Sequence, residues 1–284
     1  MNMQPEIKKI TEANRDAWNE VMPRHRETAG ERWDKAFMQA GFVCMREHEL
    51  ELLGRTELEG KAAAHLCCNN GVELLSLKNL GAGECVGFDI SDAAIREARE
   101  RAERCRIDCR FVRSDVYEIG PEYENRFDLV YISAGGLGWM PDLKLFFAKA
   151  AAMLKDGGRI FIHEIHPFSE TLPFDDAEDA DVLRIVGPYF KDGPYVEYGG
   201  LDYVGGASYS SAKPQYWFVH TIADILTGLI GNRLEIEHFS EYEFDVSAGH
   251  ARVERARAGV PLSYIAIGRK RGGALPSGAT ERAG

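Results

Sequence analysis

Two aspartates and one glycine fall where a nucleoside would need them. Gly71 closes the stretch His65-Leu66-Cys67-Cys68-Asn69-Asn70, and Asp89 closes Val86-Gly87-Phe88. Asp89 follows Gly71 at close to the ~20-residue separation at which an acidic side chain meets a ribose. A carboxylate suits that task because it accepts from two hydroxyls at once. Asp115 sits in the next such stretch, Arg113-Ser114-Asp115-Val116. Singly, Asp89 reads as a helix cap and Asp115 as a turn residue. Together with Gly71 they favour contact with a bound ligand. A second group, His163-Glu164-Ile165-His166, offers base chemistry, since a neutral imidazole takes a proton from a hydroxyl, amine or thiol. His166 immediately precedes Pro167 and is expected to face the same crevice, with His163 and His220 as substitutes. The spacing is not HExxH, and no metal is expected there.

These residues need a scaffold, and the chain supplies short apolar runs alternating with helical patterns. Strands are expected over 62–68, 84–90, 108–113, 127–133 and 159–165, with helices over 72–80, 92–105 and 142–154 between them. Such alternation argues for a doubly wound, mostly parallel sheet with helices on both faces. In such a sheet, ligands bind beyond the carboxyl ends of the strands. Before this unit, residues 1–56 read as a helical arm. Pro23 is expected to interrupt its first helix, and a second helix is expected over 33–53. After Pro167 the rhythm breaks. Residues 168–220 form an insertion rich in Tyr, Gly, Pro and Asp, too long for a plain loop, with short strands expected at 188–190 and 195–198. A helix over 221–230 and strands at 234–239 and 263–267 follow, and the main unit spans 57–270. The small, polar tail 271–284 is expected to be disordered.

Composition narrows the partners. Hydrophobic residues make up 45% and charged residues 28%, so a full core needs neither disulfides nor metal. The net charge of -11 would repel a phosphate backbone. The densest basic stretch, 96–113, is interleaved with Glu97, Glu100, Glu103 and Asp108. Nucleic acid is therefore not expected as a partner. No apolar run reaches the ~20 residues of a membrane span, and the N-terminus lacks a signal-peptide core, so a cytoplasmic protein is expected. The six cysteines lack CxxC spacing, and Cys67 and Cys68 read as packing.

The order HLCCNNG, VGFDIS, RSDV, FDLVYISAGGLGW, LKDGGRIFI resembles the class I S-adenosylmethionine-dependent methyltransferases over residues 61–166. It is most similar to a branch written HLxCxxG in place of DLGCGTG, which also carries an arm like Asn14-Arg15-Asp16-Ala17-Trp18. The resemblance implies a seven-stranded Rossmann-like sheet with S-adenosyl-L-methionine as cofactor. By position it implies that Cys67, Asn69 and Gly71 lie beneath the methionine moiety. Asp89 would bind the ribose and Ile90 would pack on adenine. Ser114, Asp115 and Val116 would meet the adenine edge, and Ser133 and Ala134 would lie near the reactive methyl. Trp18 would close the cofactor site from the arm. Here His65 replaces a usual acidic residue, and Cys67 and Asn69 replace two usual glycines.

The function expected is methyl transfer to a small-molecule acceptor, with a non-catalytic cofactor-binding or scaffold protein as the alternative. A nicotinamide dehydrogenase should show GxGxxG after the first strand, and HLCCNNG does not. The acceptor side is assigned to His166 and His163 as bases. Trp139, Tyr189, Tyr203, Trp217 and His220 are assigned as pocket wall, since ring faces attract apolar and cationic groups alike.

Overall fold

The computed structural model describes residues 4–175, 181–198 and 213–272. The arm comprises α1 (Pro5–His25), α2 (Glu31–Phe37) and α3 (Glu47–Gly54). Then come β1 (Ala63–Leu66), α4 (Val72–Asn79), β2 (Cys85–Asp89), α5 (Asp92–Cys105), β3 (Arg110–Arg113), β4 (Phe127–Ile132), α6 (Leu143–Met153) and β5 (Leu154–Ile165). The C-terminal part adds β6 (Tyr195–Glu197), β7 (Gln215–Trp217), α7 (Ile222–Gly231), β8 (Leu234–Tyr242), α8 (Ala251–Ala256) and β9 (Ser263–Lys270).

The main sheet has seven strands in the order β3-β2-β1-β4-β5-β9-β8, and β9 runs antiparallel to both its neighbours. The strand order reverses between β1 and β4, the switch point at which such sheets bind ligands. Both faces are covered. Val130 and Ile132 pack into one apolar cluster with α6 and α7, while Leu129 and Tyr131 pack into the other with α3, α4 and α5. This two-sided burial explains why the strands read as continuous apolar runs rather than alternating ones. A separate two-stranded sheet, β6 with β7, lies in the insertion.

Several local expectations change. Pro23 does not end α1; it sits in the last turn, and the chain continues as a π-turn, Arg26–Gly30, into α2. The helix expected over 33–53 is broken instead. Gly41 turns at φ 74°, and side chains of α4 satisfy the backbone there: Ser76 Oγ accepts from Cys44 N at 3.0 Å and Asn79 Nδ2 donates to the Phe42 carbonyl at 2.7 Å. β5 starts earlier than expected, at Leu154, and accommodates Gly157 (φ 78°) beside a register shift against β4. Residues 188–190 form no strand.

The turn after β1 is the sharpest local constraint. Cys67, Asn69 and Gly71 all have positive φ, at 56°, 47° and 81°. A Cβ on Gly71 would lie 2.6 Å from the Phe111 ring. Beneath the turn, Arg101 is fully buried and donates to Asp34 Oδ1 at 2.9 Å, Glu97 Oε1 at 2.6 Å and the Asn70 carbonyl at 2.7 Å. One guanidinium thus ties the arm, α5 and the turn together.

Two substitutions test this arrangement. Gly71→Ala is expected to destabilise by about 2–4 kcal/mol, from left-handed backbone strain plus overpacking. Arg101→Ala is expected to cost about 3–5 kcal/mol, because the buried Glu97 loses its cation and Asp34 keeps only Arg104. Urea unfolding monitored by far-UV circular dichroism reads both; a shift below about 0.5 kcal/mol in either would refute the corresponding constraint.

Candidate active site

A cavity of about 750 Å³ opens at the carboxyl ends of β1, β2, β3 and β4. Its floor is the turn after β1, with Cys67, Asn69 and Asn70 lining it. Gly71 does not line it but allows the close packing on Phe111 beneath. Asp89, at the end of β2, accepts from Asn69 N and Ser91 N, both at 2.8 Å. One oxygen faces each donor, so each keeps a lone pair for another hydroxyl. Burial pushes the Asp89 carboxyl up to about 6, partly offset by those backbone N–H groups. Ile90 lines the cavity beside it.

At the next strand end, Asp115 accepts from Tyr117 N at 2.9 Å and caps the short turn that follows β3. Burial raises this carboxyl too. Asp115 and Val116 line the cavity; Ser114 does not, its hydroxyl instead donating to the Asp115 carbonyl at 2.9 Å. Ser133 and Ala134 line the cavity on the loop after β4. Ser133 Oγ lies 3.0 Å from Nε2 of His65, which burial keeps neutral, with its pKa down at about 3.

That loop has a brace the base assignment overlooked. Glu164, buried in β5, accepts from Gly135 N at 2.8 Å, Leu137 N at 2.7 Å and Ile165 N at 2.7 Å. Burial raises its carboxyl to about 7 despite those three donors. Within the His163–His166 tetrapeptide, this middle residue and not the histidines supports the cavity wall.

Both histidines assigned as bases lie away from the cavity. The side chain of His163 falls on the opposite face of β5 and pairs with Glu49 of α3 at 3.1 Å. His166 is buried, with Nε2 2.8 Å from Glu241 and Nδ1 accepting from Phe168 N at 3.0 Å. Both its nitrogens are occupied, and burial holds the imidazole below its usual range. Strand alternation sends 163 and 164 to opposite faces, and the chain turns at Pro167 before His166 can reach the crevice. The histidine that does line the cavity is His25 of α1.

The aromatic wall is partly as expected. Trp139 and Trp217 line the cavity; Tyr189 and His220 do not. The Tyr189 hydroxyl accepts from Ile222 N at 3.2 Å, and His220 Nε2 lies 2.8 Å from the Met140 carbonyl. Tyr203 lies outside the described residues. Trp18 closes the cavity from the arm, edge-to-face with Trp139 at 5.5 Å, and Trp139 meets Trp217 edge-to-face at 4.9 Å. Asn14 secures this roof by exchanging two hydrogen bonds with the backbone of Tyr216, at 3.0 and 2.7 Å. Asn19 accepts from Ser91 Oγ at 2.8 Å, which pins α1 to the start of α5.

Residues 63–158 match the family model described as methyltransferase domain. The chain carries a methyltransferase domain on the class I fold. Ribosomal protein L11 methyltransferase of Neisseria gonorrhoeae is 30% identical over 103 residues, 36% of this chain and 32% of that protein. The rRNA N(6)-adenosine-methyltransferase METTL5 of Danio rerio is 35% identical over 78 residues, 27% of this chain and 38% of that one. The chain thus spans about a third of the length of the curated relatives it matches. Among solved structures, an S-adenosylmethionine-dependent methyltransferase from Clostridium acetobutylicum superposes with TM-score 0.58 at 15% identity, over 81% of this chain and 94% of that one. Another from Mesorhizobium loti gives 0.56 at 22%, over 78% and 97%. These likenesses extend the shared fold beyond the matched domain.

The relatives correct the partner expectation. A small-molecule acceptor with nucleic acid excluded does not stand, because curated relatives of this chain are named for ribosomal protein L11 and for rRNA. The net charge sums over a whole surface and carries no information about one groove. The described residues contain no helix long and apolar enough to cross a membrane.

The cavity residues fit an S-adenosyl nucleoside: a diol acceptor at Asp89, apolar flanks at Ile90 and Val116, and a second acceptor at Asp115. An acid raised to about 6 is protonated further up the pH scale, and the ionised form alone accepts from both ribose hydroxyls. Affinity for S-adenosylhomocysteine should therefore rise as pH climbs through about 6, by about tenfold, the worth of one charge-assisted hydrogen bond. Titration calorimetry between pH 5 and 8 measures it, and Asp89→Asn should flatten the profile; an unchanged slope in the variant would detach Asp89 from the ribose.

Proposed function

We propose that the protein transfers the methyl group of S-adenosylmethionine to an acceptor held against the loop after β4. The observation that carries this reading is the cavity at the switch point. Asp89 and Asp115 stand at its nucleoside end, and the Ser133–Ala134 loop separates that end from an aromatic wall. When bound, the cofactor supplies the sulfonium methyl as electrophile. The residues of the chain orient the acceptor and exclude water, the larger part of what such a displacement needs. Trp18, Trp139 and Trp217 provide the exclusion. Glu164 fixes the loop by accepting from two of its N–H groups, those of Gly135 and Leu137.

The alternative, a cofactor-binding protein without turnover, drew its support from Cys67 and Asn69 in place of glycines. Both adopt the left-handed conformation, and Cys67 packs in part against the apolar core while also lining the cavity. The backbone of the turn therefore gives no support to lost function.

Saturating S-adenosylhomocysteine should raise the melting temperature by about 5–10 °C, through linkage of ligand to the native state. No shift at millimolar ligand would sink the methyl-donor reading. His166→Ala should leave that shift within about 2 °C of the parent, since the imidazole lies off the cavity. Binding without transfer of labelled methyl to any acceptor would favour the non-catalytic alternative.

A further inference from the structure

The far end of the cavity is built on the β6–β7 hairpin. Tyr195 pairs with Trp217 and Glu197 with Gln215 across the two strands. Residues two apart on a strand share a face, so these four side chains form one patch, and all four line the cavity. Val196, between Tyr195 and Glu197, is exposed on the other face. Glu170 approaches the patch from the segment after β5 and accepts from Trp217 Nε1 at 3.0 Å.

The hydrogen-bonding sense of the patch is one-sided. Gln215 donates through Nε2 to Glu197 Oε2 at 3.0 Å. A carboxylate accepts from the amide nitrogen, which fixes the orientation of the carboxamide. The Gln215 Oε1 is left buried and without a partner among the described residues. A buried acceptor in that state is costly unless a ligand brings a donor. Glu170 and Glu197 add two carboxylates, while no Lys or Arg is found among the residues described as lining the cavity. Burial, with Glu197 and Asp245 nearby, pushes the Glu170 carboxyl up to about 7, consistent with negative charge lacking a cation. Trp217 and Tyr195 offer ring faces, which attract cations.

We propose that the acceptor carries an ammonium group, seated among Glu170, Glu197 and the Gln215 carbonyl oxygen against Trp217 and Tyr195. This rests on the methyl-transfer reading for its chemistry, though not for the binding itself. An ammonium has three donors and no acceptor, the complement of this patch. Trp217 links the patch to the reaction centre, its ring reaching within 3.9 Å of the place a Cβ would occupy on Gly135, in the loop after β4. For transfer, the ammonium gives one proton to Glu170. Its freed lone pair then forms the N–C bond as the S–C bond breaks, and the S–C bonding pair passes to sulfur. A free amine and a lysine side chain of a protein share this chemistry.

The test uses the full chain and tryptophan fluorescence, with benzylamine, an acetylated lysyl tripeptide and benzyl alcohol as probes, each with and without S-adenosylhomocysteine. At least one amine should bind about tenfold or more tightly than the neutral alcohol. The tighter of the two amines identifies the source. Glu170→Gln should weaken amine binding by about tenfold and leave the alcohol and S-adenosylhomocysteine unchanged, the latter also reporting that the variant is folded. Gln215→Leu, which removes the unpartnered oxygen, should weaken the same amine by a smaller factor. Equal affinity for amine and alcohol, or no amine binding, overturns the proposal. Failure of S-adenosylhomocysteine alone would instead remove the methyl-donor reading, because the comparison of amine with alcohol made without it stands separately.

Discussion

The turn after β1 sets the terms for everything above the sheet. Three residues within five positions hold positive φ there, two of them not glycine, and such backbone persists only when its surroundings over-determine it. Two opposite charges do so from two sides. Asp89 takes the Asn69 N–H from the sheet side, and the buried Arg101 guanidinium takes the Asn70 carbonyl from below. Arg101 also holds Asp34 and Glu97, so the arm and α5 are clamped to the same point. The absence of a side chain on Gly71 lets the turn sit on Phe111.

Carboxylates repeat this device along the edge of the sheet. Asp89 braces the loop after β1, Asp115 caps the turn after β3, and Glu164 braces the loop after β4. Each satisfies backbone N–H groups that a parallel sheet leaves unpaired where its strands end. Each is also raised by burial, Asp89 to about 6 and Glu164 to about 7, so rigid loops and weakened acids occur together at the strand ends. Asp89 and Asp115 both hold backbone and line the cavity, whereas Glu164 braces it from behind.

The roof comes from segments far apart in sequence. Asn14 on α1 bonds the backbone of Tyr216 on β7, and the three tryptophans from the arm, the β4 loop and the hairpin meet edge-to-face. Closure therefore depends on the arm and the insertion docking together. Gly138 permits that docking, since a Cβ there would lie 2.4 Å from the Trp217 ring.

Apolar runs, helix signals and the Gly71–Asp89–Asp115 set were legible in the sequence because they are local: strand burial, turn chemistry and spacing follow from neighbours along the chain. The sequence also marked Trp18, Trp139 and Trp217, whose size demands a buried surface. It misled at His166, since a one-residue change in direction at Pro167 decides which side of the sheet an imidazole meets. It hid Arg101 inside a basic stretch interleaved with acids, because burial of a guanidinium depends on Asp34, 67 positions away. Glu170 and Gln215 carried no local mark at all. Their meaning arises from the Gln215–Glu197 cross-strand pair, from the hydrogen bond that Trp217 donates to Glu170 and from the missing donor at Oε1. The tertiary structure alone decided these points, because hydrogen-bond complementarity and desolvation are properties of groups brought together in space.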